Sequence, residues 1–236
     1  MHRKAVANRI RVVYVPRMSF DDSDKVDHYR SDTAYRMVSD LIRKRELRGG
    51  EVIVEAKLAE LLGISRTPLR EALQRLEGER LIVKKGGRSF VVRYVDLAEY
   101  LHSLKVREIL ESEAAALAVG HISADELAAL RSEIGALSAD TSKPHAHTHA
   151  HWQSDDNLHG VIADASGNPV MAQIIRDLRV TTRLFEISRI ADRVVLDDAE
   201  HLAILDALES GDPRNARRAA QAHIKSLSRY SLKSVS

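Results

Sequence analysis

LAELLGISRTPLREALQRLE, residues 58–77, reads as the second half of a short helix, a tight turn and a longer helix. Residues 55–62 (EAKLAELL) have the composition of a short helix, and Gly63-Ile64 supplies the turn. Ser65 stands at the N-cap position of the longer helix, and Pro68 falls in its first turn, where the missing N–H costs little. Leu69, Leu73 and Leu76 recur at helical spacing and predict a buried stripe, while Arg66, Thr67 and Arg70 fall on the other side. Two helices joined this way form a helix-turn-helix, whose second helix enters the major groove of DNA by its N-terminal end. Arg66 and Arg70 are four apart and share a face. A guanidinium there can fork onto guanine or clamp a phosphate, and Thr67 with the free N–H groups of the helix start can hold a phosphate. On these residues alone an ordinary amphipathic helix with a solvated basic face is the commoner alternative.

The flanking sequence completes the motif. Upstream, Ser31-Asp32-Thr33 offers a cap for a helix over about 33–47, with Tyr35, Val38, Leu41 and Ile42 on one face and Gly49-Gly50 as its stop. Downstream, LIVKK and RSFVVRYV flank Gly86-Gly87 and predict a hairpin wing. Residues 31–93 therefore read as a winged helix-turn-helix, and residues 1–30, with Asp21, Asp22, Asp24 and Asp27 after a basic start, as a flexible arm. From Asp96 the pattern is helical throughout. One long helix ends near Gly120, and Ser123 to Glu126 form a capping box for the next. Residues 141–151 (TSKPHAHTHAH) break the pattern; further helices run through Asp164, over about 170–190, over Leu196–Leu208, and from Pro213 to about Leu232. Six helices with short connections predict an antiparallel bundle over residues 94–236, so the fold class is mostly α.

Composition narrows the chemistry. The 236 residues include no cysteine, which excludes disulfides, thiolate metal sites and a cysteine nucleophile. No apolar run reaches the ~18 residues of a membrane span, and the basic start lacks the apolar stretch of a signal peptide, so the expected location is the cytoplasm and no membrane partner is expected. Residues 1–93 hold 21 Lys/Arg and 13 Asp/Glu, a net +8, against −6 for the remainder. A basic first part suits double-stranded DNA as the partner.

The predicted bundle carries candidate metal ligands. Asp155 and His159 lie four apart on a helix; His201 and His223 fall in two later helices. One carboxylate and three imidazoles suit Zn, Ni, Mn or Fe, although isolated histidines are more often surface or core polar groups. His145, His147, His149 and His151 alternate, which suits neither a helical face nor a compact site, and read as an interhelix spacer, with a loop that captures metal adventitiously as the alternative.

The segment LAELLGISRTPLREALQRLEGERLI closely resembles the recognition segment of the GntR family of transcription regulators. With a wing and an all-helical remainder, the chain is similar to the FCD (FadR C-terminal domain) subfamily over about residues 32–232. The resemblance implies that Arg66, Thr67 and Arg70 contact DNA and that Gly87 at the wing tip approaches the minor groove. The run DDNLHGVIADASGNP looks like the family's metal-binding segment, and EHLAILDAL and AHI carry histidines at family-like spacing. It thus implies a divalent metal, zinc foremost with nickel, manganese or iron as alternatives, on Asp155, His159, His201 and His223. Arg107 matches an arginine that faces the family's effector cavity, and its alternative is an ion pair with Glu111 one turn on. The implied function is a DNA-binding regulator, a repressor acting as a homodimer on a palindromic operator, controlled by a small carboxylate or sugar acid near the metal. A regulator for which the metal itself is the signal is the alternative, and a metalloenzyme leaves SRTPLREAL unexplained; no enzyme activity is expected. The chain departs from the pattern at Arg80, where Gly is usual, at Ala56, where the fatty-acid-responsive prototype has Arg, at Gly49, which replaces a Pro, and at Leu158, where Phe is common.

Overall fold

A computed structural model of the chain describes residues 23–44, 46–86, 89–139, 148–189 and 193–235. In the N-terminal part, α1 (Ser23–Arg43), α2 (Glu55–Leu62) and α3 (Arg66–Gly78) pack together beside a small sheet of β1 (Val52–Ile53), β2 (Ile82–Lys85) and β3 (Ser89–Val92). The sheet order is β1-β3-β2, antiparallel throughout, with Val83 opposite Val91 and Val52 also opposite Val91 on the other side. This is the winged helix-turn-helix. Gly63 closes the turn between α2 and α3 at φ 65°, a left-handed conformation that glycine adopts without cost, and its N–H and that of Ile64 satisfy carbonyls of the last turn of α2.

Two elements differ from the reading of the sequence. α1 begins at Ser23, ten residues before the predicted start, because residues 23–32 are mostly polar and show no apolar period to mark them as helix. β1 is only two residues long and pairs with a strand nearly forty residues away, so no local pattern announces it. At the end of α3, Arg80 takes a left-handed φ of 60°, the one non-glycine among the described residues to do so. A side chain there costs about 1–2 kcal/mol relative to the right-handed region.

Beyond the wing the described residues form six helices: α4 (Leu97–Ala118), α5 (Ala124–Ser138), α6 (His149–Ala165), α7 (Pro169–Arg189), α8 (Val194–Glu209) and α9 (Pro213–Val235). Asp96 caps α4 by accepting from Glu99 N, and Ser123 caps α5 by accepting from Glu126 N. Thr148 and His151 form a reciprocal capping box at the start of α6. The histidine-rich stretch therefore ends inside a helix, and His145 and His147 lie outside the described residues. α4 is the central helix, packed on α6, α7 and α9.

The apolar core is in two blocks. One runs from the winged helix into the base of the bundle and includes Leu69, Leu73, Leu76, Ile82 and Phe90 together with Tyr100 and Leu104 of α4, Leu184 and Phe185 of α7, and Ile224 and Leu227 of α9. The Tyr100 and Phe185 rings stack at 4.2 Å within it. The other fills the far end of the bundle with Ala114, Ala115, Leu130, Leu158, Ile162, Ile175, Ile204 and Leu205. Between them α4 presents Arg107, Glu108, Glu111 and Ser112, all buried. A buried polar layer thus separates two apolar blocks.

Candidate functional site

The exposed face of α3 carries Arg66, Thr67 and Arg70, while Leu69, Leu73 and Leu76 are fully buried on the opposite side. Gln74 continues the exposed face one turn beyond Arg70. Nε and Nη2 of Arg70 both donate to one oxygen of Glu55, at 3.2 and 2.9 Å, so the first residue of α2 holds this guanidinium in place. Ser65 has the extended backbone of an N-cap but makes no side-chain bond to the helix. The first N–H groups of α3 thus stay open toward a phosphate. Gly87 lies outside the described residues.

The polar layer gathers the other candidates. The ring centroids of His159, His201 and His223, from α6, α8 and α9, lie 4.8–5.3 Å apart, and one ring nitrogen of each lies within 4.8 Å of the other two. Asp155 Oδ1 is 3.6 Å from Nε2 of His159 and 3.3 Å from Nε2 of His201. The other nitrogens face carboxylates: His159 Nδ1 lies 2.6 Å from Glu111, and His223 Nδ1 lies 2.8 Å from Glu200. A carboxylate behind an imidazole fixes the tautomer with Nδ1 protonated and turns the Nε2 lone pair inward.

The electrostatics favour neutral rings at His159 and His223. Burial lowers His159 to about 4, helped by Arg179, with Glu111 opposing. Burial lowers His223 to about 3, although Glu200 opposes the shift. Burial alone would raise the Glu111 carboxyl, but Arg107, His159 and Arg179 together hold it well below the usual carboxylate range. Asp155 is held low in the same way by Arg179 and Arg183 against its burial.

Neutral imidazoles with inward lone pairs suit a cation, and two further observations fit one. Nε2 of His159 and Nε2 of His201 are buried with no hydrogen-bond partner, which is costly for a polar atom left as it is. Around the rings the carboxylates Glu111, Asp155, Asp156, Glu186, Asp197 and Glu200 outnumber the guanidiniums Arg107, Arg179, Arg183 and Arg193 that contact them, while Glu108 pairs with Lys105 and Lys225. A cation held there offsets part of that negative charge. Asp155, His159, His201 and His223 are the residues that would hold it. A second cluster of Asp197, Glu200 and His223 is less suited, because Arg193 already contacts both of its carboxylates.

The neutral histidines carry a pH consequence. In the unfolded chain histidine takes up a proton near pH 6.5, whereas His159 and His223 resist it down to about 4 and 3. The unfolded state therefore binds more protons between these values, and stability falls as pH falls. Urea unfolding of the chelated protein is expected to show a lower midpoint at pH 5 than at pH 7. Equal midpoints would show that these rings are not buried neutral.

Arg107 is 2% exposed. Its Nε donates to Glu111 Oε1 at 2.6 Å and its Nη1 to Thr182 Oγ1 at 2.7 Å, with Glu186 3.8 Å away. The ion pair expected as its alternative is the arrangement present, and it backs the carboxylate that orients His159. The sequence reading missed two arginines of α7. Arg179 donates to Asp155 at 2.6 Å and to Asp156 at 2.8 Å; Arg183 contacts both as well, 2.7 Å from Asp156, and lies over the Trp152 ring at 4.1 Å. In sequence, DLRVTTRLFE resembles a solvated helix face, and only the aromatic and threonine neighbours hint at burial.

A winged helix-turn-helix with an exposed basic reading face, built onto a helical bundle with a buried polar layer, defines a DNA-binding transcription regulator. The sequence profile described as "Bacterial regulatory proteins, gntR family" matches residues 30–92, and that of the FCD domain matches residues 102–226, more than half of the chain. The chain belongs to the gntR family of bacterial regulators, in the branch with an FCD domain. It is 26% identical over 229 residues to the HTH-type transcriptional repressor NanR of Escherichia coli, covering 84% of this chain and 82% of that one. It is 25% identical over 199 residues to the Uxu operon regulator of Haemophilus influenzae, covering 76% and 73%. Among solved structures, E. coli McbR/YncC superposes with a TM-score of 0.69 at 21% identity, covering 88% of this chain and 99% of that one, and so shares the fold.

Proposed function

We propose that the chain is a repressor, dimeric on its operator, whose DNA binding is controlled by a small organic acid held beside a divalent metal in the polar layer. The observation that carries this reading is the set of three imidazoles with Asp155, two of whose buried Nε2 atoms have no hydrogen-bond partner. Zinc suits a four-ligand N/O set of this kind. DNA contacts fall to Arg66, Thr67 and Arg70, with Gly87 at the wing. The relative named as a repressor supports repression.

An anionic effector is supported by Arg183. Its Nε and Nη1 are buried without a partner, and each is a donor that an anionic group can accept from. Arg107 serves this site from behind, through Glu111. The void beside His159 and Glu111 is only about 10 Å³, close to the space of one water. A metabolite needs more room than this void, and displacing α7 from α6 to make it would require Arg179 and Arg183 to release both Asp155 and Asp156. Ligand and operator then oppose each other reciprocally.

The test is a thermal-shift screen of small carboxylates and sugar acids against zinc-loaded and chelated protein. A compound that raises the melting temperature only with zinc, and weakens operator binding, is the expected result. Hits that bind equally well to chelated protein would overturn the metal-anchored reading. If zinc alone changes operator affinity as much as any compound does, the metal is the signal.

A further inference from the structure

Arg80 closes the recognition helix in a conformation that disfavours any side chain, and that side chain leaves its own domain. Its Nη2 lies 3.8 Å from Oδ2 of Asp177 on α7. The wing makes a parallel contact. Arg93, immediately after β3, donates through Nη1 to Thr181 Oγ1 at 3.0 Å and contacts Glu99 in the first turn of α4 through Nη2. Asp177 and Thr181 are one turn apart on α7, and the Thr181 hydroxyl also donates to the Asp177 carbonyl at 3.3 Å. Both DNA-facing elements, helix α3 and the wing, are thus tied to one turn of a single helix. Arg179 and Arg183, two residues beyond each tie, point to the opposite side of α7, toward Asp155 and Asp156.

The balance of effects decides what the Arg80 contact is for. Both partners are exposed, at 64% and 41%, and an exposed pair at this distance contributes no more than the backbone strain removes. The contact therefore adds nothing to folding stability. What it restricts is orientation: a strained residue persists where the surrounding structure makes use of it.

We infer that Arg80 and Arg93 are positioning residues that set the angle of the reading head on α7 through Asp177 and Thr181. This role needs no ligand. Because the same turn carries Arg179 and Arg183, a ligand that displaces it moves the recognition helix and the wing together; that last step alone rests on the function proposed above.

The chain has no cysteine, so two spin labels can be placed without background. Labels at Gln74→Cys on α3 and Ala128→Cys on α5, both exposed, report the head-to-bundle distance in the full-length chelated protein diluted with unlabelled chain. Arg80→Asn tolerates the left-handed backbone and removes the charge. It is expected to keep or raise the melting temperature while broadening or displacing the distance distribution. Asp177→Asn should do the same from the other side, and the pair together no more than either alone. Arg80→Lys should retain the parent distribution. A solely structural role would move melting temperature and distribution together. Distributions in Arg80→Asn and Asp177→Asn that match the parent, or effects that add in the double variant, would overturn the inference. Either outcome is reached without zinc or effector, so it stands apart from the test of the metal reading.

Discussion

Replacing Arg66 and Arg70 by alanine is expected to weaken operator binding by about 1–3 kcal/mol each, roughly 5- to 150-fold, when a base contact is lost. Both side chains are exposed and their backbone is held by the buried Leu69, Leu73 and Leu76, so the fold should survive the change. Titration against an operator selected from random DNA measures the effect, and parallel titration against unrelated duplex separates base from phosphate contacts. A base contact lowers only the first affinity; a phosphate contact lowers both and flattens the salt dependence. Arg70 starts from a bond to Glu55, which restricts its rotamers beforehand, so its loss should weigh at least as much as that of Arg66. Undiminished sequence-specific binding by the double variant would remove α3 as the reading element.

The second large effect concerns the polar layer. Binding to the folded chain alone stabilises it by about 4 kcal/mol when free zinc is roughly a thousand times its Kd. For a chain of this size that corresponds to roughly 8–16 °C in Tm. Addition of a chelator to zinc-loaded protein should therefore lower Tm by an amount of that order. A His159→Ala, His201→Ala double variant should lose both the zinc response and stoichiometric metal. Elemental analysis that still finds one divalent ion per chain in this variant would refute the site.

The range of an interaction along the chain decides whether the sequence discloses it. The helix-turn-helix is legible because its signals are local: Gly63 for the turn, Pro68 in the first turn, and Leu69, Leu73 and Leu76 at one helical spacing. Asp155 with His159 is legible for the same reason, being one turn of one helix. His201 and His223 join them only through a resemblance, because the ring contacts that unite them span three helices. Arg179, Arg183 and Glu200 stay hidden. Charged residues at helical spacing read as a solvated face, and nothing local shows that α4, α6 and α7 close over them. Arg107 illustrates the limit from the other side, since its partner Glu111 is visible in the sequence but the burial of both, which fixes the role of the pair, is not.

The apolar block shared by the winged helix and the bundle bears on how such regulators can be recombined. An interface between separable domains is usually modest and polar, but here Ile42, Val92 and Val95 face Leu184 and Ile187 of α7 across one cavity. A head excised at residue 93 would expose this surface, and a head grafted from a relative would have to match it in shape. Exchange of DNA specificity in this chain is therefore more readily achieved by rewriting the outer face of α3, at Arg66, Thr67, Arg70 and Gln74, than by transplanting the whole head.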